Sequence, residues 1–210
     1  MQDRLTDLSC VDFAAVLAAK TSVPGGGGAA ALAGALGAAL CSMVGNFTVG
    51  KKKYAAYEED IKIILEKGEN LRQRLLEFVE ADAEAFAPLA EAYAVPKDDP
   101  RRDEILEQAT RNACKAPLEM VRCCAQTVAL LEEMLEKGSV MLISDVGCGA
   151  HLCMAAMESA ALNVFINTKS LRNRGDAEHM NCEINTILED GRIRIRHIIE
   201  SVNDKIKGVK

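Results

Sequence analysis

The chain has 210 residues, of which 49% are hydrophobic and 27% charged, with a formal net charge of -6 at pH 7. This length and apolar content suffice for one hydrophobic core, so we expect residues 1–210 to form one domain. The acidic balance argues against nucleic acid as a partner, because binding to phosphates requires a clustered basic surface.

Strand signals are nearly absent. Aromatic residues make up 4% of the chain, and outside residues 192–197 no stretch alternates apolar and polar side chains beyond a few positions. We therefore predict an all-α protein, a single-domain bundle of long antiparallel helices. Apolar spacing and capping residues place these helices at residues 9–20, 29–40, 61–89, 101–137, 146–166 and 176–207, with Ser9 as a cap, Pro117 as a kink and Gly138 as a stop.

A glycine-rich turn precedes the second predicted helix. Its residues are Pro24, Gly25, Gly26, Gly27 and Gly28. Because these residues do not extend a helix backward easily, we expect a bare loop that leads into a helix N-terminus. Such a terminus offers unpaired amides to an anionic or flat ligand, and glycine lets the ligand touch the backbone.

Two nucleotide-binding motifs do not fit this turn. A P-loop ends in Gly-Lys-Ser/Thr, whereas Gly28 is followed by Ala29. A dinucleotide fingerprint needs a preceding strand and an acidic residue about 20 positions further on, and neither is present.

The uncharged residues 21–50 that follow are longer than the ~20 residues that span a bilayer. Alanine and glycine dominate them, and the larger apolar residues fall mostly on one helical stripe, so we favour a buried helix over a membrane anchor. The four-residue spacing of Ala30, Gly34 and Ala38 lets a second helix approach closely, within the chain or across a dimer axis.

Three lysines, Lys51, Lys52 and Lys53, close this segment and are followed by Tyr54. Their charge fits either a ligand-binding role or a solvated helix start, and the sequence does not choose between the two.

Asp82 breaks the apolar pattern of the long third helix. It lies four residues after Phe78 and four before Phe86, so it shares their inward face. An inward carboxyl has its charged form disfavoured, which raises its pKa toward the range of a general acid or base. The structural alternative is a buried acid that pairs with a lysine or caps another helix.

Four further polar residues interrupt apolar stretches. Ser144 and Asp145 precede the helix predicted at Val146, where Asp145 either caps the helix or contributes to a site. Asn163 and Asn167, one helical turn apart, need hydrogen-bond partners, and in a buried site they would contact a heterocycle.

The eight cysteines form no C-x-x-C pair, and the three histidines are far apart in sequence. A metal site is therefore not predicted. Thiols in small apolar positions are typical of buried cysteines in a reducing cytosol, and the charged, polar start of the chain does not resemble a signal peptide. We expect a cytoplasmic protein.

Taken together, five motifs in order resemble the formiminotransferase-cyclodeaminase C-terminal family, which includes stand-alone methenyltetrahydrofolate cyclohydrolases. They are PGGGG at residues 24–28, SMVGNFTVGKKKY at 42–54, ADAEAF at 81–86, SD at 144–145 and LNVFIN at 162–167. Each motif alone is weak, but five in order over almost the whole chain are specific. Two departures stand at Gly28, where the family usually has serine, and at Ser139, where it commonly has asparagine.

The resemblance implies an all-helical obligate dimer that acts on one-carbon derivatives of tetrahydrofolate. It makes Asp82 the catalytic acid, with the glycine turn admitting the pterin and the three lysines holding the glutamate tail. Ser144, Asp145, Asn163 and Asn167 are then pterin or structural contacts. No metal or redox cofactor is expected.

Members of the family either hydrolyse 5,10-methenyltetrahydrofolate to 10-formyltetrahydrofolate or form the methenyl compound from 5-formiminotetrahydrofolate with loss of ammonia. We expect the cyclohydrolase, because no formiminotransferase module is fused to this sequence, with the cyclodeaminase as the alternative. A non-enzymatic alternative is a helical folate-binding dimer module that has lost activity.

Overall fold

The structure is a computed structural model that describes residues 4–208. Within this range the chain is helical and contains no strand, which confirms the all-α prediction. The α-helices are α1 (Cys10–Ala18), α2 (Gly26–Asn46), α3 (Glu58–Ala94), α4 (Arg102–Ala113), α5 (Lys115–Lys137), α6 (Ile143–Thr168) and α7 (Arg174–Lys207). Short 3₁₀ turns occur at Leu5–Asp7, Lys52–Tyr57 and Val140–Leu142.

Helix α2 lies at the centre of the bundle and packs against α3, α5 and α6. Its small residues allow this close approach. A Cβ placed on Gly34 would lie 2.7 Å from Sγ of Cys124 in α5, and one on Gly37 would lie 2.6 Å from Sγ of Cys153 in α6. The small-residue face around Gly34 therefore packs within the chain and not across a dimer axis.

Both α3 and α6 run antiparallel to α2. Going along α2, Gly27, Gly34 and Gly45 face Asp82, Leu75 and Leu65 of α3, in that order. Likewise Gly26, Gly34 and Gly37 face Asn163, Ala156 and Cys153 of α6. The C-terminal halves of α3 and α6 thus converge at the N-terminus of α2.

The glycine turn is shorter than predicted. Helix α2 begins at Gly26 with Gly25 as its N-cap, so Gly26, Gly27 and Gly28 form its first turn. The prediction of a bare loop through Gly28 is wrong, because α3 and α6 pack against this turn and bury Gly27 and Gly28. That packing overrides the low helix propensity of glycine.

The helix predicted at residues 101–137 is two helices, α4 and α5, which meet at Cys114. Pro117 has no N–H and does not donate to the carbonyl of Ala113. The Nδ2 of Asn167 donates to that carbonyl instead, at 3.4 Å. Pro117 lies in the first turn of α5, where a missing N–H costs little, so it does not kink a continuous helix.

Other helix ends follow their capping residues. Ser9 accepts a hydrogen bond from the amide of Asp12 at 3.0 Å and caps α1, and Gly138 follows the last residue of α5 as predicted. Helix α6 begins at Ile143, so Asp145 lies inside its first turn and the prediction that it caps a helix at Val146 is wrong.

Five cysteines are buried, namely Cys41, Cys114, Cys123, Cys124 and Cys153, while Cys10, Cys148 and Cys182 are exposed. Burial raises the pKa of Cys41 to about 12 and that of Cys114 to about 11, so these thiols remain protonated at neutral pH. They act as small apolar groups in the core.

Two segments, Gly26–Asn46 and Val140–Thr168, are long and apolar enough to cross a bilayer. About half of each apolar window, 56% and 44% respectively, is buried inside the bundle. Core helices of globular proteins meet the same length and composition criteria, so the expectation that the protein does not enter a membrane stays a prediction.

Candidate active site

Asp82 lies against the first turn of α2. A Cβ placed on Gly27 would be 2.5 Å from both Cγ and Oδ2 of Asp82 and still closer to Oδ1. The carboxyl group therefore occupies the space that a side chain at position 27 would need. The helical periodicity of α3 correctly predicted that Asp82 faces the bundle.

Two opposing effects act on the Asp82 carboxyl. Burial disfavours its charged form and raises its pKa above the ordinary value, while a hydrogen bond from the backbone amide of Gly28 acts in the opposite direction. Burial is the larger effect. No basic side chain among residues 4–208 contributes to this pKa, so the predicted alternative of a pair with lysine is not present in this part of the chain. The other alternative, a carboxyl that caps another helix, agrees with the bond from Gly28 in the first turn of α2.

Asn163 of α6 approaches the same turn from the other side. Its Nδ2 lies 3.8 Å from a Cβ placed on Gly26 and donates to the carbonyl of Ser159 at 2.8 Å. Asp82, Asn163 and the glycine turn, from three different helices, thus come together at one place, which we call the acid end of α2.

A second group of candidates gathers beyond the C-terminus of α2. Nζ of Lys51 lies 3.4 Å from Oγ of Ser139, whose amide donates to Oγ1 of Thr48 at 2.8 Å. The amide of Val140 donates to the hydroxyl of Tyr54 at 3.1 Å, and this bond lowers the pKa of Tyr54. We call this group the lysine end of α2.

Lys52 and Lys53 are exposed at the lysine end, and Lys53 lies over the ring of Tyr54 with its Nζ 5.4 Å from the ring centroid. Ser144 and Asp145 lie at the start of α6, which is antiparallel to α2, and therefore also belong to this end.

The two ends are far apart in one chain. Helix α2 has 21 residues between them, which at about 1.5 Å per residue separates them by about 30 Å. The predicted site residues therefore form two groups and do not meet around a single cavity of one protomer.

Thr48 and Ser139 were missed as polar contributors to the lysine end. Both are buried, and the bond from the Ser139 amide to Oγ1 of Thr48 joins residues 91 positions apart. Helical periodicity carries no signal for such a pair. The serine at position 139, where the resemblance leads us to expect asparagine, still supplies an oxygen to Lys51.

Gly28, the other departure, leaves room for a small side chain. A Cβ there would lie 3.4 Å from Cβ of Pro24 and 3.8 Å from Cγ1 of Val79, which are ordinary contacts. The amide of Gly28, which bonds Asp82, belongs to the backbone and does not depend on the residue at this position.

Phe86 differs from its prediction. It lies one helical turn after Asp82, but 42% of its surface is exposed, so it is not part of the core. No group of three or more His, Cys, Asp or Glu side chains within residues 4–208 is arranged to bind a metal ion.

Comparisons with known proteins identify the family of the chain. The sequence profile of the family described as formiminotransferase-cyclodeaminase matches residues 9–186, and the chain belongs to this family. A methenyltetrahydrofolate cyclohydrolase of Methylorubrum extorquens is 41% identical over 194 residues, which cover 90% of this chain and 93% of that protein.

The mouse (Mus musculus) formimidoyltransferase-cyclodeaminase is 29% identical over 205 residues, 96% of this chain, but the match spans only 38% of the mouse protein. A crystal structure of formiminotetrahydrofolate cyclodeaminase from Thermotoga maritima superimposes with a TM-score of 0.83 at 29% identity and covers 98% of both chains. Relatives of both activities therefore share this fold.

Proposed function

We propose that this protein is an enzyme of folate one-carbon metabolism that hydrolyses 5,10-methenyltetrahydrofolate to 10-formyltetrahydrofolate. The observation that carries the proposal is the Asp82 carboxyl, held against the first turn of α2 with a raised pKa and with no basic partner in the described chain. The 41% identity to a protein named methenyltetrahydrofolate cyclohydrolase supports the choice of reaction.

In the proposed reaction, a water oxygen bonds to the methenyl carbon while the Asp82 carboxylate takes one proton from that water. The bond between this carbon and N5 then breaks, and Asp82 returns the proton to N5. The remaining hydroxyl proton leaves to solvent as the formyl carbonyl forms on N10. The cation and water thus yield neutral product and one proton, and Asp82 ends in its starting state.

The surroundings of Asp82 suit a cationic substrate. The carboxylate would stabilise the positive methenyl group and the transition state that follows. Gly26, the exposed glycine of the turn, has no side chain that would keep a flat ring from its backbone. The amide of Gly28 and the positive end of the α2 dipole favour the ionised carboxyl and oppose part of the effect of burial on its pKa.

The alternative reaction is the cyclodeaminase reaction, which the names of the mouse and Thermotoga maritima relatives favour. There N10 would attack the formimidoyl carbon, and Asp82 would protonate the nitrogen that leaves as ammonia. Both reactions involve addition, elimination and proton transfer, and we propose that neither needs a metal or redox cofactor. The cytoplasm is the proposed location.

Absorbance of the methenyl compound separates these candidates. Its enzyme-dependent loss from 5,10-methenyltetrahydrofolate marks the hydrolase, and its appearance from 5-formiminotetrahydrofolate marks the cyclodeaminase. Asp82→Asn should lower kcat by about 10²–10⁴-fold, the range of general acid–base catalysis. Glu84→Gln, the same chemical change at an exposed carboxyl of α3, is the matched control and should leave kcat unchanged.

Failure of the wild-type protein to accelerate either reaction, combined with tight binding of tetrahydrofolate, would favour the non-enzymatic folate-binding module. A fully active Asp82→Asn variant would remove Asp82 from the mechanism.

We also propose that the protein is a dimer in which each site is shared. One protomer separates its acid end and lysine end by the length of α2, so a folate tail held by Lys51, Lys52 and Lys53 does not reach Asp82 of the same chain. A two-fold axis perpendicular to α2 would place the acid end of one protomer beside the lysine end of its partner.

An uncharged surface supports this arrangement. Helix α2 contains no charged residue, and large apolar side chains of α2 and α6 lie exposed on the bundle, with Leu36 at 51%, Leu162 at 67% and Ile166 at 64% of their surface. In a two-fold dimer the same patch of each copy covers that of the other, so a second copy of the chain would remove these apolar side chains from water on both protomers.

Mixing two defective variants tests the shared site. Asp82→Asn and a variant with all three lysines 51–53 replaced by glutamine are each expected to turn over poorly at low substrate. After unfolding and refolding together, half of the dimers are mixed, and each mixed dimer has one intact site, so about one quarter of wild-type activity should return. No recovery, with ion-exchange chromatography resolving mixed dimers by their charge, would exclude sharing.

A further inference from the structure

Phe86 is exposed beside the candidate acid. Of the five phenylalanines in the chain, Phe13 is buried, and Phe78 and Phe165 pack against the core. Phe47, after the C-terminus of α2, is 58% exposed, and Phe86, one turn from Asp82, is 42% exposed. The exposed part of its ring contributes no hydrophobic stabilisation until something covers it.

The position of Phe86 on α3 directs its ring toward the acid end. Asp82 and Phe86 are four residues apart and therefore neighbours on one side of the helix. Helical side chains lean toward the helix N-terminus, which directs the ring of Phe86 toward the turn that contains Asp82.

Small residues lie near this ring. Of its other neighbours three and four residues away on α3, Ala83 and Ala90 are small and Leu89 is half-buried. Gly27 faces Asp82, and the preceding residue, Gly26, is exposed. An exposed aromatic side chain, an exposed glycine and a carboxyl thus lie near one another at the acid end, where the side-chain amide of Asn163 approaches Gly26.

We propose that Phe86 is the stacking surface for the pterin ring of the substrate and sets the position of N5 relative to Asp82. The inference rests on the proposed function, because it takes a reduced folate as the ligand. The reacting N5 belongs to the pterin and must lie next to Asp82. Because Phe86 is only one helical turn from Asp82, its ring is expected to stack on the pterin and not on the more distant benzoyl ring. Aromatic stacking of this kind changes affinity by about tenfold.

Kinetics of paired substitutions test the ring itself. Phe86→Leu keeps an apolar side chain but removes the aromatic face, so KM should rise about tenfold with a smaller change in kcat. Phe86→Tyr should restore the wild-type KM. Tyr93→Leu, at an aromatic residue that is 55% exposed on the same helix, is the control and should have a normal KM. A wild-type KM in Phe86→Leu would overturn the proposal.

Fluorescence tests the contact independently of turnover, because the chain contains no tryptophan. Phe86→Trp introduces a single reporter, and Tyr93→Trp gives the matched reporter about two turns away. Saturating 5-formyltetrahydrofolate or tetrahydropterin should quench the reporter at position 86 more than the one at 93, and p-aminobenzoylglutamate should not. Equal quenching at both positions would contradict stacking.

Two other outcomes are distinguishable. Emission of the position-86 reporter that shifts with protein concentration and not with folate would assign Phe86 to an interface between two copies and overturn the proposal. If the wild-type protein converts the folate while both Phe86 tests are negative, only the stacking role of Phe86 fails. If the wild-type protein neither binds nor converts folates, both the stacking role and the proposed function fail.

Discussion

Gly27 is the residue at which one added carbon most directly disturbs the candidate site. Its backbone has no positive φ, so its conformation is open to any residue. The Asp82 carboxyl explains instead why position 27 has no side chain. A Cβ on Gly27 would lie 2.5 Å from both Cγ and Oδ2 of Asp82. Ordinary contacts to a Cβ begin at 3.4 Å, so Gly27→Ala must displace the carboxyl by about 1 Å.

A displacement of about 1 Å in a catalytic group costs on the order of 10² in rate, so kcat of Gly27→Ala should fall about 100-fold. Alanine is the better helix former by up to about 1 kcal/mol, which offsets part of the steric cost to stability. Methenyl absorbance gives kcat, and thermal denaturation shows whether the variant is folded.

Gly175→Ala is the matched control, because Gly175 is the second residue of α7 just as Gly27 is the second residue of α2. A Cβ on Gly175 meets its nearest atom, Oδ1 of Asn173, at 3.4 Å, so this variant should keep wild-type kcat.

A double-mutant cycle isolates the clash. In an Asp82→Ala background the carboxyl is absent, and Gly27→Ala should then no longer lower the melting temperature. A folded Gly27→Ala protein with wild-type kcat would refute the reasoning, because the position of Asp82 would not matter to turnover.

Other positions in the bundle have equally definite expected outcomes. Burial raises the pKa of Asp82 in the folded state, so ionisation above the unfolded value of about 3.9 destabilises the fold. Asp82→Asn should therefore have a higher Tm than wild type at pH 7, by a margin that narrows as the pH falls toward 4. Gly34→Ala should lower the free energy of unfolding by about 1–3 kcal/mol in chemical denaturation, because its Cβ would lie 2.7 Å from Sγ of Cys124, and Cys124→Ala should recover part of that loss. Glu107 accepts hydrogen bonds from the amides of Arg172 and Asn173 at 2.7 and 3.1 Å, so Glu107→Ala should cost about 1–2 kcal/mol by the same measurement, with exposed Glu104→Ala as control.

Each expectation has a contrary result. A Tm difference for Asp82→Asn that is the same at pH 4 and pH 7 would mean that the carboxyl is not destabilised by burial. Strictly additive effects of Gly34→Ala and Cys124→Ala would show that the two groups do not collide. Equal losses for Glu107→Ala and Glu104→Ala would assign the effect to helix α4 itself and not to the amides.

The sequence alone determined the features that depend on neighbours a few residues apart. Helical spacing predicted the all-α class and the inward direction of Asp82, and Ser9 and Gly138 marked helix ends, because periodicity and capping are local properties. The five motifs identified the family before any tertiary contact was known.

Tertiary packing decided where the helices meet and which residues share a place. Packing against α3 and α6 extends α2 back to Gly26. The side-chain amide of Asn167 donates to the carbonyl of Ala113, which lies 54 residues earlier in the chain and which Pro117 leaves without a helical donor. This bond accompanies the break at Cys114. Phe86 has the spacing of a core residue, yet 42% of its surface is exposed, because periodicity within α3 does not show how far other helices cover that face.

The division of the candidate site was likewise a tertiary result. The order of Gly27, Lys51, Asp82 and Ser139 along the chain does not show which of them are neighbours in space. The antiparallel pairing of α2 with α3 joins Gly27 to Asp82 and sends Lys51 to the opposite end, beside Ser139. Helical periodicity fixes the direction of a side chain around its own axis, whereas helix pairing and register, which depend on long-range packing, determine its position along the bundle.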